Sequence, residues 1–421
     1  MSPTRVYESM KYPQWIRLRQ NLDTKRVIDP AATVITQLNT LEGTVKIGKG
    51  ARIAITVGSR FIANLPLITK VVVDFVKAKG AYPFLVPAMG SHGGATKKGQ
   101  VNVLQELGFT EESIGAPIYS SMDVVTLGDV ENIPVYFDRI ASGADGIIII
   151  NRVKAHQAFR GDIQSGLNKM MAVGLGKEKG ADAIHGSGRT DILGPIGDFI
   201  ISAVPILFGV AILENSYDET RDVAVLPPEQ FKEYDKSWSC KSRELLPRIP
   251  FRSLDLVIVD EMGKDISGSG MDTNVIGFTR RMTPTGQQAV PLAVFDLTKK
   301  TDGNAMGIGL ADFTTRRLAE KINYHSTYTN VIATGVYSAG RIPLTLKSEK
   351  AVIDTVLGKL EQPGDARIVR IKNTLHLEEF YATERLLGEA EKNQRLQVER
   401  TRYDTSFSNR GELMIFPSVG K

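Results

Sequence analysis

The sequence predicts an α/β protein of two domains, each built on a mostly parallel sheet, with an active-site cleft between them. Three observations support this. The chain has 421 residues, more than one ordinary domain needs. Short β-rich runs alternate with longer helical patterns, the rhythm of strands joined by crossover helices. A charge-rich window, PPEQFKEYDKSWSCKSRELLPRIP at 227–250, separates two such regions and reads as a linker. The expected division is an N-terminal domain over 1–248, a C-terminal domain over 249–400, and a tail at 401–421 able to return to the N-terminal domain.

RIAITVG (52–58) reads as the first strand of the alternation, LPLITKVVVDFVKAKG as the helix after it, and YPFLVPAMG (82–90) as the next strand. KKGQVNVLQELG is a further helix, and GIIII (146–150) suits a strand covered on both faces. FIISAVPILFGVAIL (199–213) contains Pro205 and Gly209 and is too short to span a bilayer comfortably, so it reads as buried core. The second region runs through LDLVIVDEMG (254–263), AVFDLT (293–298), a helix in ADFTTRRLAEKI and NVIATG (330–335). EEFYATERLLGEAEKNQRLQV then has helical periodicity, and ELMIFP reads as a last strand.

Composition excludes several functions. The net charge is +5, but Lys and Arg are dispersed among almost as many Asp and Glu, without a basic tract, so no nucleic-acid partner is expected. The single cysteine, Cys240, rules out an internal disulfide and a cysteine-cluster metal site. The N-terminal stretch has no apolar core of a signal or anchor, and a cytoplasmic protein without membrane contact is expected. Neither a GxxxxGK[ST] loop nor a clean GxGxxG follows a strand, and no HExxH or HxxxH supplies adjacent metal ligands.

Ligands in open parallel sheets collect beyond the carboxyl ends of strands, so polar residues just after predicted strands carry most weight. Arg60 follows the first strand and can hold a carboxylate or phosphate by a bidentate pair, or merely a surface acid. GSHGGAT (90–96) sets His92 among glycines that let a ligand approach the backbone. His156 lies in a polar loop after GIIII, with Arg152, Lys154 and Arg160, where an acid or base can act. His185, before GSGRTD, can bind a metal or cap a helix. His325 and His376 read as structural or exposed. Lys169, among Met170, Met171 and Val173, admits three readings: a snorkelling side chain, a phosphate contact, or an amine made nucleophilic by burial.

The spacing adds to this. Lys169 stands thirteen residues after His156 and sixteen before His185, with SGLNK around the lysine. With GSRF at 58–61 and GSHGGAT, the arrangement resembles the lactate racemase family of nickel-pincer-nucleotide racemases and epimerases. The resemblance implies that Lys169 holds a pyridinium mononucleotide through a thioamide bond, with Ser165 and Gly166 in the cofactor-binding segment. The nucleotide would present two sulfurs and a ring carbon to nickel, and His185 the remaining ligand, a donor set suited to square-planar nickel(II). It further implies His92 and His156 as the acid/base pair, Arg60 on the substrate carboxylate, and Lys264 of EMGKDISGSGMD touching substrate or cofactor. The chain departs from the family in its longer spacing from His156 to Lys169, in Val57 where an acid is common, and in HGGAT, so a larger hydroxy acid, such as a sugar acid or aryl hydroxy acid, fits at least as well as lactate and the sequence does not name the substrate. Two other readings remain: a Schiff-base lyase or aldolase using Lys169, and a non-catalytic binding protein.

Overall fold

A computed structural model of the chain describes residues 10–41, 43–59, 61–155, 161–189, 191–277 and 290–415. The chain forms two compact units, one of Asp23–Leu246 and one of Met1–Leu22 with Pro247–Lys421. This differs from the expected division at both ends of the chain. Strand β1 (Trp15–Gln20) pairs antiparallel with a strand at Glu379–Thr383 and another at Leu396–Tyr403, so both the N-terminal segment and residues 401–403 lie in the C-terminal unit. Trp15, Ile16 and Leu18 bury their side chains there, which fixes the placement.

In the Asp23–Leu246 unit, five described strands form one sheet: β2 (Arg52–Val57), β3 (Tyr82–Pro87), β6 (Gly146–Val153), β7 (Ile206–Glu214) and β8 (Thr220–Leu226), in the order β3-β2-β6-β7-β8. The first four are parallel, and β8 runs antiparallel against β7. Strands β4 (Val124–Val130) and β5 (Ile133–Asp138) form a separate hairpin. Alternation in GIIII sends Ile147 and Ile149 into one core and Ile148 and Ile150 into the other, so the strand is covered on both faces as its composition requires. The helix Leu65–Ala78 lays Leu65, Ile68, Val72, Val73 and Val76 on the second of these cores, an apolar stripe at helical spacing. Pro205 separates the helix Leu193–Ala203 from β7 within FIISAVPILFGVAIL.

Residues 227–250 are not a linker. They contain the helix Phe231–Leu245, whose buried face carries Phe231, Asp235, Ser239 and Ser242. Three of these four residues are polar, so the window shows little apolar periodicity although it packs on the core.

In the C-terminal unit the described strands continue as β9 (Leu256–Met262), β10 (Leu292–Leu297), β11 (Phe313–Thr315), β12 (Leu344–Leu346), β13 (Ile368–Ile371), β14 (Glu379–Thr383) and β15 (Leu396–Tyr403). Their sheet, with β1, has the order β12-β11-β10-β9-β13-β14-β1-β15, parallel from β12 to β13 and antiparallel beyond. ADFTTRRLAEKI holds the expected helix at Arg316–Ala319 but opens with β11, where the Thr314 and Thr315 hydroxyls bond to the carbonyls of Val294 and Phe295. NVIATG instead ends a helix, Tyr324–Thr334. The expected helix near the end splits into β14, a helix at Leu387–Lys392 and β15, since Phe380, Ala382 and Leu396 are needed on the core. Of ELMIFP, Leu413–Met414 forms a short strand.

Candidate active site

Of the segments singled out by sequence, Gly58-Ser59, the His92 loop and the segment leading to Lys169 follow β2, β3 and β6 in the Asp23–Leu246 unit. Gly58 follows β2, and a Cβ there would stand 3.2 Å from Met170 Cε, so the absence of a side chain lets the lysine segment approach. Ser59 comes next, and its hydroxyl shares a hydrogen bond with Nδ1 of His92, itself exposed beyond β3. That bond orients an imidazole able to move a proton. The His92 loop is held by unusual backbone: Gly90, Gly93, Gly94 and Ala95 all have positive φ. Thr96 then caps the helix Lys97–Glu106 by accepting from Gly99 N.

Beyond β6, Asn151 donates from its side chain to the Gly166 carbonyl at 2.7 Å. Gly166 has φ +99° and ψ −154°, a conformation open essentially to glycine, and a short helix, Leu167–Lys169, starts there. It passes into a π-helical turn at Met170–Gly174. Such turns are frequent at functional sites. Here the turn brings Gly174 against the end of β3, where its carbonyl accepts from Gly90 N at 3.2 Å. Lys169 is half-buried at the start of this turn.

The next helix, Lys177–Gly186, carries His185 in its last turn. The residue as a whole is exposed, yet enough protein surrounds the ring for desolvation to lower its pKa. The positive charge of Lys169 lowers it further, against the opposing effect of Asp182. Thus the two residues sixteen apart in sequence lie within electrostatic reach, and the imidazole is held toward its neutral, ligand-competent form.

Three supporting groups escaped sequence reading. Asp235 is fully buried and accepts from Leu167 N at 3.0 Å, Asn168 N at 2.8 Å and Asn168 Nδ2 at 2.7 Å, capping the helix that bears Lys169 from a distant element. Burial pushes its carboxyl up to about 7, against the lowering effect of those three donors. On the same helix, Ser242 accepts from Ala155 N at 2.6 Å and Ser239 from Gln164 N at 3.4 Å. This polar face therefore holds Ala155 and Gln164, on either side of 156–160 in sequence. Lys177 is fully buried beside Asp138, and burial lowers its pKa while Asp138 raises it. The one available signal for Asp235 was the spacing of Phe231, Asp235 and Ser239, four residues apart, which places them on one helical face.

The other expected residues are placed as follows. Ser165 uses its hydroxyl on Lys154, donating to the carbonyl at 2.6 Å and accepting from the amide at 2.7 Å. Arg152 and Lys154 form ion pairs with Glu214 and Asp218. Lys264 belongs to the other unit, where its ammonium donates to Gly268 O at 2.7 Å within its own loop. His325 and His376 are exposed. Arg60 and His156 lie outside the described residues. Among the described residues no group of three or more His, Cys, Asp or Glu is placed to hold a metal, and no helix is long and apolar enough to cross a membrane.

Comparison with known proteins matches this architecture at low identity. The lactate racemase apoprotein from Thermoanaerobacterium thermosaccharolyticum is similar in structure, with a TM-score of 0.50 and 11% identity over 85% of this chain and 94% of that one. A Thermotoga maritima protein aligns with a TM-score of 0.47 and 14% identity over 74% of this chain and 81% of that one. No family model matches the chain, and no curated protein matches it. The first likeness shows that the chain has an α/β fold like that of the racemase apoprotein.

Proposed function

We propose that the protein is an isomerase, a racemase or epimerase of a 2-hydroxy acid, working with a nickel-pincer nucleotide attached at Lys169. The observation that carries this reading is the placement of Lys169 at the end of the short helix that starts at Gly166, with a π-helical turn leading on to the helix whose last turn holds His185. The residues fit such a group. Gly58 lies against Met170, and Gly90 and Gly174 are joined by a backbone hydrogen bond, so the turn that follows Lys169 is held close to the ends of β2 and β3. Soft donors for a metal would arrive with such a cofactor. Lys169 would hold that cofactor, and His185 would supply a nitrogen to nickel.

Such a group, when bound, would supply a reversible hydride acceptor for the α-hydrogen of the substrate. The chain's own residues handle the proton and the orientation. His92, its ring oriented by Ser59, takes the hydroxyl proton for one enantiomer and returns it to the keto oxygen in the reverse sense. His156 would do the same for the other enantiomer, and Arg60 would hold the carboxylate during the turn. Lys264 would contact substrate or cofactor.

The test is a chiral screen of 2-hydroxy acids with protein expressed alongside a nickel-pincer biosynthesis system. Interconversion of one pair, abolished in Lys169→Ala and His92→Asn, supports the reading. Borohydride trapping of a carbonyl substrate on Lys169, without nickel, would replace it with a Schiff-base lyase.

A further inference from the structure

We propose that Lys177 is a positioning residue that locks the His92 loop and the His185 helix into one register. Its ammonium is fully buried and lies among groups from separate elements: the Pro87 carbonyl at the end of β3, Gln100 Oε1 at 3.2 Å, and Asp138 Oδ2 at 3.0 Å at the end of β5. Gln100, also fully buried, passes the connection on, its Nε2 donating to Gly90 O at 2.9 Å and to His92 O at 3.4 Å. Asp138 is anchored in turn by Ala141 N at 2.8 Å on its other oxygen. One ammonium therefore ties the backbone of His92 to the first residue of the helix whose last turn holds His185.

Filling space does not require this arrangement. A buried ion pair is replaceable by apolar side chains without loss of stability in many proteins, so its presence points to geometry rather than to stability. Lys177 moreover has φ +55°, a left-handed conformation that a lysine adopts only when its surroundings impose it. That strained residue begins the helix directly after the π-helical turn and the Leu175–Gly176 corner, so its backbone sets the direction in which His185 is presented.

The functional weight of the two histidines rests on the racemase reading, whereas the experiment reads the unloaded protein and so fails or succeeds separately. Two variants are compared with wild type: the double variant Lys177→Met with Asp138→Asn, which avoids an uncompensated carboxylate, and Gln100→Glu, which keeps an acceptor for Lys177 but removes the donor to Gly90 and His92. Carbethoxylation rates are measured histidine by histidine by mass spectrometry, with amide exchange at 90–95. His325 and His376, exposed in the other unit, serve as internal references. The double variant should change the rates at both His92 and His185 at least threefold and leave the references unchanged. Gln100→Glu should change His92 and speed exchange in its loop while His185 keeps its wild-type rate. If the double variant does not fold, Gln100→Glu alone decides. Wild-type rates at His92 in Gln100→Glu, or equal changes at all four histidines, would overturn the proposal.

Discussion

Asp235→Asn offers the most quantitative check on how the lysine segment is held. Wild-type Asp235 is buried, it accepts from the amides of Leu167 and Asn168 and from the Asn168 side chain, and its carboxyl is pushed from 3.8 up to about 7. In the unfolded chain it loses its proton near its ordinary value, and in the folded protein only as the pH passes about 7. Between those points the folded state binds more protons, so stability falls as pH rises. The stabilisation is fully present below about pH 4 and lost through about pH 7, a total of roughly 4 kcal/mol at about 1.4 kcal/mol per pH unit. Roughly 3 kcal/mol of this falls between about pH 5 and about pH 8. The chain has two tryptophans, Trp15 in the C-terminal unit and Trp238 on the helix of Asp235. A Trp15→Phe background therefore leaves Trp238 to report urea unfolding of the Asp23–Leu246 unit. In that background, wild-type Asp235 should lose roughly 3 kcal/mol relative to Asp235→Asn from about pH 5 to about pH 8. Parallel stability curves for the two proteins would refute the reasoning.

Other changes probe neighbouring links. Lys169→Met should raise the titration midpoint of His185, followed by proton NMR, because it removes a positive charge that lowers it. Gly166→Ala should destabilise the unit by at least about 2 kcal/mol in the Trp238 assay, since it combines an unfavourable backbone conformation with a steric clash. The clash is direct, for a Cβ at Gly166 would lie 2.0 Å from Asp235 Oδ1. Ser59→Ala should lower turnover of the loaded protein about fivefold, the effect of one lost hydrogen bond of about 1 kcal/mol, with unchanged nickel content.

Much of this architecture is legible in the sequence because the parallel strands are buried on both faces, and runs such as GIIII announce that burial directly. The glycines beside His92 and Lys169 likewise mark backbone approach before any coordinate is seen. What stayed hidden was polar. Asp235, Ser239 and Ser242 line a buried face whose partners are main-chain amides far away in sequence, so no apolar stripe reveals the helix. Lys177 reads as one more charged residue in GKEKG until Asp138 and Gln100 are brought beside it. Strand β1 was assigned to the wrong unit for a related reason, because its partners, β14 and β15, come more than 350 residues later.

The central claim is that Lys169 carries the cofactor beside His185. Its most direct test is the mass of the Lys169 peptide, with bound nickel, after expression with cofactor biosynthesis. The account predicts an adduct on Lys169 in wild type, lost in Lys169→Ala, with the adduct retained but nickel depleted in His185→Ala. An unmodified Lys169 peptide and no bound nickel, despite cofactor supply, would contradict it.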